Sequence, residues 1–168
     1  WWDAARQAID LIMAKNATAL SKVRAIGLSG QMHGAVVLGA DDTPLRPAIL
    51  WNDGRAKAEC DAIEATLPGL ALRAGVVAMP GMTAPKIMWL RKHEPDLFDA
   101  IRTVMLPKDY IRLHLCGEKA TEMSDAAGTL WLDEEKRAWN PEAIAATGPT
   151  PDQLPTLFEG SDATGILR

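Results

Sequence analysis

The sequence is poor in the side chains that build metal, disulfide or phosphate-loop sites. Its two cysteines, Cys60 and Cys116, lie far apart and without metal-ligand spacing. That argues against a disulfide scaffold or a zinc site and suits a reducing cytoplasm. The three histidines, His33, His93 and His114, share no helical ligand spacing, so no metal site is expected among them. No G-x-x-x-x-G-K-[ST], G-x-G-x-x-G or G-x-S-x-G stretch occurs, which removes the P-loop, dinucleotide and nucleophile-elbow readings. Lys and Arg form no cluster of the kind a nucleic-acid surface needs, and the net charge of −4 comes from both signs mixed along the chain. There is no signal-peptide pattern and no apolar run of membrane-spanning length.

What is present is the material of one globular domain: 168 residues, 48% apolar and 24% charged, enough to bury a core. The chain opens on Trp1-Trp2-Asp3 rather than Met and runs straight into a helix, so it reads as a piece of something longer. In residues 1–15, Trp2, Ala5, Ile9, Ile12 and Met13 recur at helical spacing around Arg6 and Asp10. Three short apolar runs follow, Val23–Ser29, Ala35–Leu38 and Ala48–Trp51, with turn chemistry over Gly39–Pro44. Strands this close together predict an antiparallel hairpin. A helix over 55–66 ends at Pro68-Gly69, and 75–81 is irregular. Thr83 is placed to cap a helix with Pro85 in its first turn, reaching His93 before Pro95. A short helix, a strand over Thr103–Leu106 and a helix from Pro107 to Gly117 come next. Asn140-Pro141 starts a helix that Gly148 stops, and Thr150-Pro151-Asp152-Gln153 has the form of a capping box. Short strands alternating with helices give an α/β class.

Four segments stand out as candidate sites. Ser29-Gly30-Gln31-Met32-His33-Gly34 lies between two apolar runs. Gln31 and His33 are equipped to hydrogen-bond hydroxyl groups beyond a strand end, although glycines also mark a plain hairpin or bulge. Trp51-Asn52-Asp53-Gly54-Arg55 joins a strand end to a helix start. An aromatic face beside Asn, Asp and Arg suits a sugar ring; the plainer reading makes Asn52 or Asp53 a helix cap and Trp51 a core residue. In the third, Gly81 to His93, Lys86 sits in the first helical turn against the dipole, which suggests a carboxylate partner elsewhere. Trp89 and Leu90 read as core. The fourth, Glu122 to Thr129, is small and polar and reads as a tight turn, or as a loop holding Asp125 near a site.

These same segments carry a family resemblance. Gly81 to His93 resembles the first signature of the FGGY carbohydrate kinases, with Thr83, Lys86, Ile87, Trp89, Leu90, Lys92 and His93 in place. Gly30 to Gly34, Arg46 to Arg55, Leu106-Pro107-Lys108-Asp109-Tyr110 and Met123 to Thr129 are similar to the bacterial xylulokinase branch of that family, and the likeness runs on to Glu159-Gly160-Ser161. The resemblance implies part of an actin-like, ribonuclease H-like domain that lacks its first strands. Two such domains close around a cleft and move the terminal phosphate of ATP, with Mg2+, to a sugar hydroxyl. In xylulokinases the acceptor is the 5-hydroxyl of D-xylulose.

By the same resemblance Met32, His33 and Trp51 face the sugar and the loop Met79–Met82 is placed to reach it; Gln31 is taken as a further sugar contact for its hydrogen-bonding groups, and Asn52, Asp53, Gly81 and Asp125 as residues behind these contacts. Glycerol kinases carry an Arg-Glu pair where Met32 and His33 stand, which favours xylulose here over glycerol; ribulose, gluconate, glycerol or a non-catalytic sugar-binding module are the alternatives. The family's Asp-x-Gly-Thr phosphate loop would precede residue 1, and its catalytic aspartate and ATP-binding domain would follow Arg168. No residue of this chain is therefore assigned as the catalytic base. The chain alone is expected to be inactive, and the whole enzyme to be cytoplasmic, with a homodimer as the assembly considered.

Overall fold

A computed structural model describes residues 1–168. The element order is α1 (Trp2–Leu20), β1 (Val36–Leu38), α2 (Lys57–Thr66), α3 (Leu70–Ala74), α4 (Thr83–His93), α5 (Pro95–Ala100), β2 (Thr103–Met105), α6 (Pro107–Cys116), β3 (Ala120–Glu122), α7 (Met123–Ala127), β4 (Leu132–Asp133), β5 (Ala138–Trp139), α8 (Pro141–Thr147), a 3-10 turn (Pro151–Gln153) and β6 (Thr156–Phe158). The strands form three small pairs: β1 antiparallel to β2, β3 parallel to β6, and β4 antiparallel to β5.

Helix α4 is the centre of the structure. Thr83 to Ile87 and Leu90 are all buried, and α2, α5 and α8 pack around it. Its Ile87 and Leu90 join Val37, Ile49, Ile63, Leu70, Val104, Trp131 and Ile144 in one apolar core. Trp131 is 1% exposed and its indole N–H donates to the Thr147 hydroxyl at 2.8 Å, so the largest core side chain leaves no buried donor unpaired. The helix boundaries follow local chemistry. Pro107 and Pro141 occupy first-turn positions, where a missing N–H costs nothing. The Asn140 side chain accepts from the N–H groups of Glu142 and Ala143. Gly117 and Gly148 close their helices at positive φ. The Thr150–Gln153 capping box forms on the 3-10 turn.

One expectation fails, for want of a partner. Val23–Leu28 is apolar and β-rich but joins no ladder, and Val23 and Ile26 stand exposed. A strand exists only where its backbone groups find a second strand. The reversal instead runs from β1 to the segment after it, through isolated antiparallel bridges of Leu38 with Pro44 and Ala35 with Ile49. Helix α1 forms and extends to Leu20, with a break in helical geometry at Asn16. Its apolar stripe is uncovered, however: Ile9, Ile12 and Met13 are exposed, and it is Trp2 that anchors the helix, stacking on His114 of α6 at 5.0 Å. Both cysteines are buried free thiols. No helix is long and apolar enough to cross a membrane.

Candidate functional site

His33 ties its own loop to α4 and to the Gly128 segment. Its backbone has φ 65°, the left-handed region, which costs a residue with a Cβ roughly 1–3 kcal/mol and persists only where the surroundings hold it. Three contacts do so. The Thr83 hydroxyl donates to the His33 carbonyl at 3.1 Å. The Lys86 ammonium donates to the same carbonyl at 2.9 Å. The His33 ring nitrogen Nδ1 lies 2.9 Å from the Gly128 carbonyl. A carbonyl accepts only, so Nδ1 carries the proton, and in the neutral ring Nε2 is left with its lone pair.

The neighbouring glycines are small because backbones and rings press on them. A Cβ on Gly128 would overlap the His33 ring, and one on Gly34 would run into Pro107. Gly30 lies against Lys108, whose Cβ would be 3.0 Å from an added methyl carbon. On the other side, a Cβ on Gly81 would overlap the Trp51 carbonyl oxygen. Gly81 thereby seats the Met79–Met82 turn against the 51–55 segment, and Lys86 Nζ donates to the Gly81 carbonyl at 2.5 Å.

The surface these segments present is half apolar and half polar. Met32 is 46% exposed and Trp51 52%, with Met79 exposed beside them on the turn. Trp51 is therefore no core residue. Gln31 and His33 are half-buried, and Asn52 is exposed. Neither Asn52 nor Asp53 caps α2, whose N-cap is Ala56. Asp53 instead accepts from the Arg55 guanidinium at 2.8 and 2.9 Å. That bond from Arg55 holds its carboxyl below the ordinary aspartate range. Arg55 in turn lies 4.8 Å above the Trp89 ring, which also stacks on His93.

Asp125 is placed by a feature that composition hides. It sits in α7, not in a bare turn, and Lys108 Nζ reaches it at 2.9 Å while also bridging Asp109 at 2.9 Å. Arg112 completes the group with a 3.0 Å bond to Asp109. Burial pulls the Lys108 ammonium down, but Asp109 and Asp125 outweigh it and raise it above the ordinary lysine value. This buried network lies under Gly30 and fixes the floor on which the Gly30–Gly34 loop rests. Lys108 and Thr83 were not singled out as supports in the sequence; the signal that finds them is contact across the fold, not spacing.

A cavity of about 500 Å3 lies elsewhere. It is an open groove between Val23–Leu28 and Thr164–Leu167, floored by Arg112, Leu115 and Cys116. The convergence on His33 is a shaped surface, not an enclosed pocket, and suits one wall of a cleft.

The profile of the FGGY family of carbohydrate kinases, N-terminal domain, matches residues 1–168. This chain belongs to the FGGY family. It is 48% identical over 167 residues to the xylulose kinase of Escherichia coli (strain K12), covering 99% of this chain and 34% of that protein. It is 47% identical to the xylulose kinase of Klebsiella pneumoniae, covering all of this chain and again 34% of the relative. Among solved structures, the "xyloylose kinase" of Brucella ovis superposes with a TM-score of 0.97 at 48% identity, over 100% of this chain and 35% of that one. The xylulose kinase of Rhodospirillum rubrum gives 0.88 at 28% identity over the same shares. The chain thus has the fold of an FGGY N-terminal domain, actin-like and ribonuclease H-like in class, and spans about a third of the length of these FGGY relatives.

Proposed function

We propose that the surface around His33 is the sugar-binding wall of a xylulokinase, which transfers the γ-phosphate of ATP to the 5-hydroxyl of D-xylulose. The observation that carries this reading is the convergence itself: a strained His33 is held by Thr83, Lys86 and Gly128, with Met32 and Trp51 left exposed beside it. Exposed apolar side chains flanking a fixed polar group match a sugar, whose C–H faces are apolar and whose edge is hydroxylated. In this reading the Nε2 lone pair of His33 accepts from a sugar hydroxyl and Gln31 supplies a further donor and acceptor. Met32 and Trp51 cover the C–H face. Gly81 and Asn52 shape the rim, while Asp53 and Asp125 hold Arg55 and Lys108 rather than the sugar. The names of the relatives favour D-xylulose over the other family sugars.

Phosphoryl transfer is assigned to other parts of the protein. The residues here do not fit Mg2+: no three His, Cys, Asp or Glu side chains converge as a cradle, and the carboxylates at the face are already paired. We therefore read residues 1–168 as an incomplete N-terminal sugar domain of a cytoplasmic kinase, whose ATP-binding domain lies outside them. A kinase depends on positioning and on a closed, water-excluding cleft, so recognition on one wall and transfer from the other is a workable division.

The test is ADP formation by the full-length protein with Mg2+ and ATP against D-xylulose, ribulose, gluconate and glycerol. Turnover that depends on D-xylulose is expected. Turnover with one of the other three and none with D-xylulose would overturn the sugar assignment. In the same assay His33→Ala is expected to raise the KM for D-xylulose several-fold, since a hydrogen bond is worth about 0.5–1.5 kcal/mol net.

A further inference from the structure

Lys86 is the most anomalous charge in the molecule. Its residue exposure is 0%, yet it makes no salt bridge. Its ammonium is spent on two backbone carbonyls, His33 at 2.9 Å and Gly81 at 2.5 Å. Buried cations are ordinarily paired with a carboxylate, because desolvation of a lone charge is costly. Asp53 is the carboxylate whose charge reaches Lys86, and it is already committed to Arg55. A buried charge kept without an ion pair calls for a reason other than stability.

The two carbonyls supply one. They belong to the two segments that frame the exposed surface: the left-handed His33 and the Met79–Met82 turn that abuts Trp51. We propose that Lys86 is a positioning residue that clamps the His33 loop to the Met79–Met82 turn and so sets the width of the sugar-binding surface. The proposal rests on the sugar reading above for what the surface binds, but not for the clamp itself. Thr83, on the same face of α4, shares the His33 carbonyl and is the neutral half of the clamp.

The clamp carries a pH signature. Burial pulls the Lys86 ammonium down to about 8, with Asp53 partly opposing it. Of the segments it ties together, the His33 loop brings only the imidazole as an ionisable group and the Met79–Met82 turn brings none, while Arg55 sits with Asp53 on the 51–55 segment. Above about pH 8 the amine is neutral and its hold on the carbonyls weakens. The linkage on stability runs the other way. A lysine whose folded pKa lies below its unfolded value binds fewer protons folded than unfolded, so its effect on stability improves as pH rises from about 8 toward the unfolded value.

The experiment compares the full-length protein with Lys86→Met, which keeps an unbranched stem out to Cε and removes the ammonium. Three readouts are taken: Tm, amide exchange at His33 and Gly34, and KM against kcat for D-xylulose. The clamp predicts an unchanged or higher Tm, exchange at His33 and Gly34 faster by about tenfold (the factor that 1.4 kcal/mol of local opening gives), and a KM raised by a similar factor with kcat less affected. A lower Tm with unaltered exchange at His33 and Gly34 would make Lys86 a structural residue and overturn the proposal. Should the variant not fold, the wild-type protein decides. After correction for intrinsic exchange rates, protection at Gly34 must fall between pH 7 and pH 9.5, and constant protection overturns the clamp. If the wild-type protein does not bind D-xylulose, the sugar reading fails, and the exchange comparison still settles whether Lys86 holds the loop.

Discussion

Replacing Gly128 by Ala is the cleanest way to ask what the His33 ring does. Gly128 has φ −70° and ψ −2°, so Ala fits the backbone and on its own would stabilise by about 0.4–1 kcal/mol through the unfolded state. The added Cβ, however, falls on the His33 ring. The ring must turn away and lose its 2.9 Å bond to the Gly128 carbonyl. The lost bond costs about 0.5–1.5 kcal/mol and an off-rotamer ring about as much again. Set against the gain, the net destabilisation is about 0.5–2 kcal/mol, read from urea unfolding at constant m. The displaced Nε2 no longer meets the sugar hydroxyl, so affinity for D-xylulose falls by a further factor of about 2–10. Calorimetric titration of the full-length protein measures it. Unchanged affinity in a variant whose His33 resonances show that the ring has moved would refute the role given to that ring.

Other changes separate fold from site. Trp131→Ala removes a fully buried side chain and its bond to the Thr147 hydroxyl, which keeps its own bond to the Ala143 carbonyl, with an expected loss of about 3–5 kcal/mol in urea unfolding. Trp51→Ala removes a half-exposed aromatic and is expected to lower D-xylulose affinity several-fold while moving Tm far less than Trp131→Ala does. Lys108→Met leaves Asp125 without its cation and Asp109 with Arg112 alone, and the expected loss is about 3–5 kcal/mol; near-wild-type stability would show that the network is idle. Burial pushes the Cys60 thiol up to about 11. A thiolate reagent at pH 8 is therefore expected to leave Cys60 unlabelled in the native protein and to label it on unfolding.

The parts of the fold that punctuation sets were legible from residue order. Pro107, Asn140-Pro141, Gly117 and Gly148 bound their helices where local chemistry places them, because a proline, an Asn cap or a left-handed glycine acts within a few residues. Contacts between distant segments were not. Thr83 reads as a cap, but the N-cap is Met82 and the hydroxyl goes to His33; a tertiary acceptor outcompeted the local one. Lys86 reads as half of an ion pair and proves to be bound to carbonyls. Asp125 reads as a turn residue because its partner, Lys108, sits on another helix. Val23–Ser29 has the composition of a strand, which is a property of one segment, whereas pairing is a property of two. The proposed sugar contacts Met32, His33 and Trp51 rest on the family resemblance, and Gln31 on its hydrogen-bonding groups beside His33. The structure adds that the fold brings the His33 loop and the Trp51 segment together around α4, with Gly81 and Lys86 between them.

Methionine-methyl NMR of the full-length protein titrated with D-xylulose tests the central claim most directly. Met32 and Met79 lie at the surface around His33, while Met13 sits on exposed α1 and Met105 in the β1–β2 core. A sugar-binding wall at His33 predicts saturable shifts of the Met32 methyl, with Met79 following and Met13 and Met105 still. Saturable shifts that leave Met32 unmoved would place the sugar elsewhere on the protein and contradict the account.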